Sequence, residues 1–211
     1  MNASPRIAVG TKALLVAALM PLAWCQRVIF DKWQRLWSLA LIQEAIGEPV
    51  DSSNVIMGRI ELHGTRNIRL GRNALIYPGV YLETQGAGVI TLGDDVVLSR
   101  GVHIVAFERV TLGDGCMVGE YASLRDANHK LDAHSIRTSG HVSASIDIGR
   151  NVWIGRGATI LKGSSIGDSS VVGANSVVTK AVAAHQVIGG VPAKALHPAT
   201  SNSIDPTAKQ A

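Results

Sequence analysis

Aromatic residues are scarce: Trp, Tyr and Phe make up 4% of the 211 residues. A core that cannot lean on large rings must be thin and filled by Val, Ile, Leu and Ala. Cysteine is rarer still. Cys25 and Cys116 lie far apart, which excludes a disulfide framework and a cysteine-rich metal site. The formal charge is +4, yet no basic run occurs and no aromatics interleave with the cations, so nucleic acid is not an expected partner. The longest apolar stretch, Ala13–Cys25, has thirteen residues and is interrupted by Pro21. That is short of the ~18 residues of a spanning helix. It also resembles a signal-peptide core behind Arg6 and Lys12, but no convincing small-residue cleavage site follows.

Glycine, by contrast, is abundant, with 22 residues, and it is placed periodically. From Ile148 to Val182 every sixth residue is aliphatic: Ile148, Ile154, Ile160, Ile166, Val172 and Val178. Gly149, Gly155, Gly167 and Gly173 each follow one of them. A period of six fits neither a lone helix nor a lone hairpin. It predicts a parallel β-helix in which each hexad makes one short strand and one corner. Three hexads, about 18 residues, close one triangular rung, and stacked rungs bury a continuous core. Upstream, Val50, Leu70, Leu92, Leu112 and Ile148 mark successive rungs, with steps of 20, 22, 20 and 36. The small surpluses fall on one corner, near Asn67, Gly86–Val89 and Glu108–Arg109. The large one is an inserted loop at about 125–145. The expected fold is mainly β: a parallel β-helix of about six rungs over 50–197, an N-terminal helical segment over 1–49 and a disordered tail over 198–211.

Four motifs narrow the reading. Asp126–Asp132 (DANHKLD), Asn151–Gly155 (NVWIG), Val171–Lys180 (VVGANSVVTK) and Gly189–Lys194 (GGVPAK) occur in that order. Together they resemble the hexapeptide-repeat acyltransferases of the O-acetyltransferase type, such as polysaccharide, galactoside or maltose, and streptogramin acetyltransferases. That resemblance implies a left-handed coil, a homotrimer, acetyl-CoA as acyl donor and an active site between neighbouring coils.

The insertion is where chemistry is expected, because loops on a rigid scaffold carry function. Acyl transfer to an alcohol needs a base for the hydroxyl proton, and neutral imidazole suits that near neutral pH. His129 matches the catalytic histidine of the similar motif. Asp126 and Asn128 beside it are the substrate-binding candidates, and either Asp126 or Asp132 could orient the ring. The resemblance further implies Trp153, Gly155 and Arg156 along the pantetheine, Ala174, Thr179 and Lys180 toward the nucleotide, and Lys194 at a phosphate. No metal is expected. His129 and His134 have the five-residue spacing of two ligands in related zinc coils, but Gly93 stands where the third histidine belongs.

Gln26–Ile46 reads as an amphipathic helix with Ile29, Trp33, Leu36 and Ala40 on one face. It either caps the coil or, with residues 13–25, lies on the inner face of a membrane, its tryptophans at the interface. The combined expectation is a cytoplasmic acetyl-CoA-dependent O-acetyltransferase acting on a sugar hydroxyl of a surface polysaccharide or lipid-linked glycan. An acetyltransferase of a small antibiotic or amino compound, and a non-catalytic trimeric scaffold, are the rival readings.

Overall fold

The structure is a computed structural model that describes residues 9–131 and 135–199. The hexads form three sheets of short parallel strands. The first runs from Val55–Ile56 up to Gln186–Gly189 through seven parallel strands. The second holds six, from Glu61–Gly64 to Val177–Val178, and the third five, from Ile68–Leu70 to Ser165–Ile166. The solenoid therefore has about seven turns, one more than the six rungs expected, because Gln186–Gly189 adds a last strand on the first sheet alone at the C-terminal end.

The aliphatic hexad positions stack inward as expected. On the first sheet Ile56, Ile76, Leu98, Val118, Ile154, Val172 and Ile188 are in register and all buried. On the second, Leu62, Leu82, Ile104, Leu124, Ile160 and Val178 do the same, Leu62 only partly buried. Asn151, at φ 53°, turns a corner in the left-handed region that asparagine tolerates. The small surpluses also stand where expected. Residues 65–67, 85–88 and 107–108 connect the second sheet to the third, so the bulges stack along one edge of the prism.

The N-terminus departs from expectation. One continuous helix, Val9–Ile46, replaces the anticipated interrupted run and separate helix, and Pro21 lies inside it. A proline removes one hydrogen bond, but the Ala, Leu and Met around it favour helix strongly enough to continue. At 1.5 Å per residue the helix is about 57 Å long. With the break absent, it contains a stretch long and apolar enough to cross a membrane by length and composition. Its buried face also differs. Ser38 and Ile42 are buried, and Leu39 and Ile46 pack against the coil core, whereas Ile29, Trp33 and Leu36 are exposed. The final turns thus cap the open end of the coil. Gly47, at φ +77°, ends the helix with its N–H on the Gln43 carbonyl at 3.0 Å.

At the other end, Lys194–Pro198 folds back antiparallel on Gln186–Gly189. Pro198 is therefore part of the last strand and not of a loose tail, and Ala199 N–H donates to His185 O at 2.8 Å. The rest of the expected tail, 200–211, lies outside the described residues.

Candidate active site

The insertion leaves the coil at the edge between the second and third sheets and forms a hairpin. Ala127–His129 pairs antiparallel with His141–Ser143, placing His129 opposite His141. The hairpin is fastened at both ends. Ala144 N–H donates to Asp126 O at 2.9 Å, and Lys130 N–H donates to Gly140 O at 3.0 Å. Ser139 Oγ adds a bond to Lys130 O at 2.6 Å. His129 is exposed on this frame. Its ring lies 4.3 Å from His141, and His141 lies 4.4 Å from Phe107 on the corner one turn below. The Arg125 guanidinium stands 6.0 Å over the Phe107 ring. Burial, the neighbouring His129 and Arg125, in that order, hold His141 below the ordinary histidine range. His141, Phe107 and Arg125 carry no motif; only the strand register brings them to His129.

Asp126 is placed differently from the expected substrate-binding role. It is fully buried. Its Oδ1 accepts Phe107 N–H at 2.7 Å, and its Oδ2 accepts Glu108 N–H at 2.7 Å and Arg109 N–H at 2.8 Å. The carboxylate therefore staples the corner one turn below, where the chain's bulge leaves three amides without strand partners. It is turned away from His129 and does not orient the ring. Asp132 and His134 lie outside the described residues. Asn128 is exposed on the hairpin. Among the described residues no group of three metal-ligating side chains occurs.

The cofactor candidates divide between two edges and one end of the coil. Trp153 points outward on the first sheet, in register between Met117 and Val171. Gly155 is structural: a Cβ there would meet Ala174 N and Val172 O at 2.7 Å, so its absence lets the next turn stack. Arg156 and Ala174 follow on the corner between the first and second sheets, where the Arg156 guanidinium stands 5.9 Å over the Tyr121 ring. Thr179 and Lys180 are exposed on the opposite edge, the one that carries His129. Lys194 lies on the last strand, opposite Gly189. Lys162, which no motif marks, stands one turn above the hairpin root, since its neighbour Gly163 donates N–H to Ala144 O at 2.9 Å. Lys162 and Lys180 thus form a short cationic run directly above the histidine hairpin.

Residues 145–180 match the model of the bacterial transferase hexapeptide repeat (six repeats). Over 137 residues the chain is 36% identical to WbbJ of Escherichia coli (strain K12), spanning 61% of this chain and 70% of that one. The chain belongs to the bacterial hexapeptide-repeat transferase family. WbbJ is named for O-acetyl transfer in lipopolysaccharide biosynthesis. The coil of this hexapeptide-repeat transferase is also similar to solved structures. AntD, an N-acyltransferase from Bacillus cereus in complex with dTDP and 3-hydroxybutyryl-CoA, superposes with a TM-score of 0.65 at 16% identity, covering 74% of this chain and 85% of that one. The hexapeptide-repeat acetyltransferase VCA0836 of Vibrio cholerae gives a TM-score of 0.56 at 24% identity, covering 88% and 93%. At such identities the structural likeness is one of fold.

Proposed function

We propose that this protein is an acetyl-CoA-dependent O-acetyltransferase acting on a sugar hydroxyl, in the synthesis of a surface polysaccharide or its lipid-linked precursor. The observation that carries this reading is His129, exposed on a fastened hairpin at the edge where the next two turns bring Lys162 and Lys180. The naming of WbbJ for O-acetyl transfer supports hydroxyl over amine as the acceptor.

In this mechanism a ring nitrogen of His129 takes the proton from the acceptor hydroxyl as its oxygen attacks the thioester carbonyl. The C–O bond forms, the tetrahedral intermediate collapses, the C–S bond breaks, and the imidazolium returns its proton to the departing thiolate. Asn128 is positioned to contact the acceptor. Lys162, Lys180, Thr179 and Lys194 supply positive charge and hydrogen bonds to the donor's phosphates. Trp153, Arg156 and Ala174, on the opposite edge, belong to the donor site of the adjacent coil in a homotrimer. The first sheet supports that assembly: Val55, Leu75, Val97, Met117, Trp153 and Val171 make a continuous outward apolar column, with Met117 and Trp153 about half exposed. The functional units are then a helical segment, 1–49, and a catalytic coil, 50–197.

The helix supports a position on the cytoplasmic face of a membrane. Trp24, Trp33 and Trp37 are exposed beside Arg27, Lys32 and Arg35, an arrangement suited to an anionic interface.

Incubation with acetyl-CoA and a panel of p-nitrophenyl pyranosides tests the activity. A sugar ester that mild alkali cleaves is the expected product. An alkali-stable amide, or thioester consumption without any acetylated sugar, would refute the proposal.

A further inference from the structure

The second sheet carries an outward stack of rings, stepping across two neighbouring columns, that the reaction above does not use. His63 stacks on Tyr81 at 4.7 Å and 21°, and Tyr81 stacks on His103 at 4.3 Å and 8°. The stack climbs one ring per turn and then stops. In register above His103 stands Ser123, which has no ring, so the stack of rings ends there. Tyr81 and His103 stand in one register column above Glu61, and the flanking column carries His63, Glu83, the buried Val105 and Arg125. Glu83 is held in place from both sides: Tyr81 Oη donates to Oε2 and Gln85 Nε2 donates to Oε1, each at 2.6 Å. That bond and burial push Tyr81 up to about 12, so its hydroxyl stays protonated and Glu83 stays ionised as an acceptor. Burial and then Arg125 lower His103, leaving it a neutral ring.

We propose that this ladder is the acceptor subsite, a shelf for an extended neutral glycan whose ring nearest the reaction lies on His103 at the level of Ser123. The inference rests on the sugar-acetylating function and names where the acceptor lies. Three features point to a sugar. The C–H face of a pyranose can continue a stack of rings that ends on an imidazole. In the flanking column Glu83, held by two hydrogen bonds one turn below His103, and Arg125, one turn above it, offer an acceptor and a donor for its hydroxyls, and bonds of this charge-assisted kind are the strong ones. The exposed edges of the lower rings continue the polar row, and from His63 to Arg125 the shelf rises three turns, about 14 Å at strand spacing. Electrostatics divides the labour along the coil. Below the hairpin the second sheet offers rings and the carboxylates of Glu61 and Glu83, which suit an uncharged glycan. Above it Lys162 and Lys180 suit an anionic donor. Arg125 joins the two regions, since it also lies over Phe107, the ring that touches His141.

The test uses the full chain, p-nitrophenyl pyranosides and the matching disaccharides and trisaccharides. In NMR spectra, His103 and Ser123 resonances should move on addition of glycan, and the affinity should rise from mono- to trisaccharide. In transfer assays His103→Ala should raise the acceptor KM at least tenfold, and His103→Phe, which restores a stacking face, should recover most of that loss. Ser123→Trp, which fills the space above the ring, should weaken glycan binding at least tenfold even if His103→Ala proves unstable. Shifts confined to the hairpin with His103 and Ser123 unmoved, no shift with any glycan, or a Ser123→Trp protein of unchanged affinity would each overturn the shelf. Wild-type binding of acetyl-CoA, followed in the same spectra at Lys162 and Lys180, reports separately on the donor assignment.

Discussion

His129 and His141 face each other across the hairpin with ring centroids 4.3 Å apart and planes inclined at 42°. Two imidazoles at this separation disfavour a shared double charge, and Phe107 backs the pair. His141 is expected to titrate below its usual 6.5, the causes being burial, His129 and Arg125. Removing His129 as His129→Ala should move His141 part of the way up, because burial and Arg125 remain. The linked effect on stability has a definite sign. Below 6.5 the unfolded chain binds the proton more readily than the folded hairpin does, so stability falls as pH drops from 6.5 to the folded value. Histidine NMR titrations of both proteins check the shift, and amide exchange in the hairpin checks the stability.

Asp126 should behave as a structural residue. Asp126→Ala leaves the Phe107, Glu108 and Arg109 amides without their acceptor at a part-buried corner, a loss of about 1–3 kcal/mol. Asp126→Asn keeps one accepting oxygen and should lose less. Denaturant unfolding measures both. A full-stability Asp126→Ala protein with impaired transfer would return Asp126 to the active site.

The two thiols should differ sharply in reactivity. Cys116 is buried in the coil, which pushes its thiol up to about 11, and its Sγ lies 2.9 Å from Gly149 O. Cys25 is exposed on the helix. A thiol-specific chromogenic reagent at pH 8 should therefore titrate one cysteine in the folded protein and two after denaturation. A Cys25→Ser protein should show none until it unfolds.

Flotation tests the helix. The full-length chain should rise with anionic liposomes, and a chain starting at Glu48 should remain at the bottom. Because Ser38, Leu39, Ile42 and Ile46 cover the end of the coil, the shortened chain should also melt at a lower temperature. Loss of stability without any change in flotation would make the helix a cap alone.

What could be seen in the sequence was whatever a strict period controls. The six-residue repeat fixes which side chain points inward, so Leu92, Leu112 and Ile154 were assignable before any coordinate, as was the corner that collects the bulges. Asp126 was misread because it stands in the histidine motif while its hydrogen bonds reach 17 to 19 residues back. The helix face was misread because the strongly apolar face of Ile29, Trp33 and Leu36 stays outward while the side carrying Ser38 and Ile42 meets the coil, and spacing alone does not show which side is covered. Lys162, His141 and the ring ladder depend on which residue stands above which, and the variable turn lengths of 20, 22, 20 and 36 hide that register from a simple repeat count.

The central claim is that His129 is the base for acetyl transfer. Its most direct test is the initial rate of transfer from acetyl-CoA to the best pyranoside acceptor, compared between the wild type and His129→Ala. The account predicts a fall of about 10²–10⁴-fold with the melting temperature preserved, since His129 is exposed and buries nothing in the coil. A His129→Ala protein that transfers acetyl groups at the wild-type rate would contradict it.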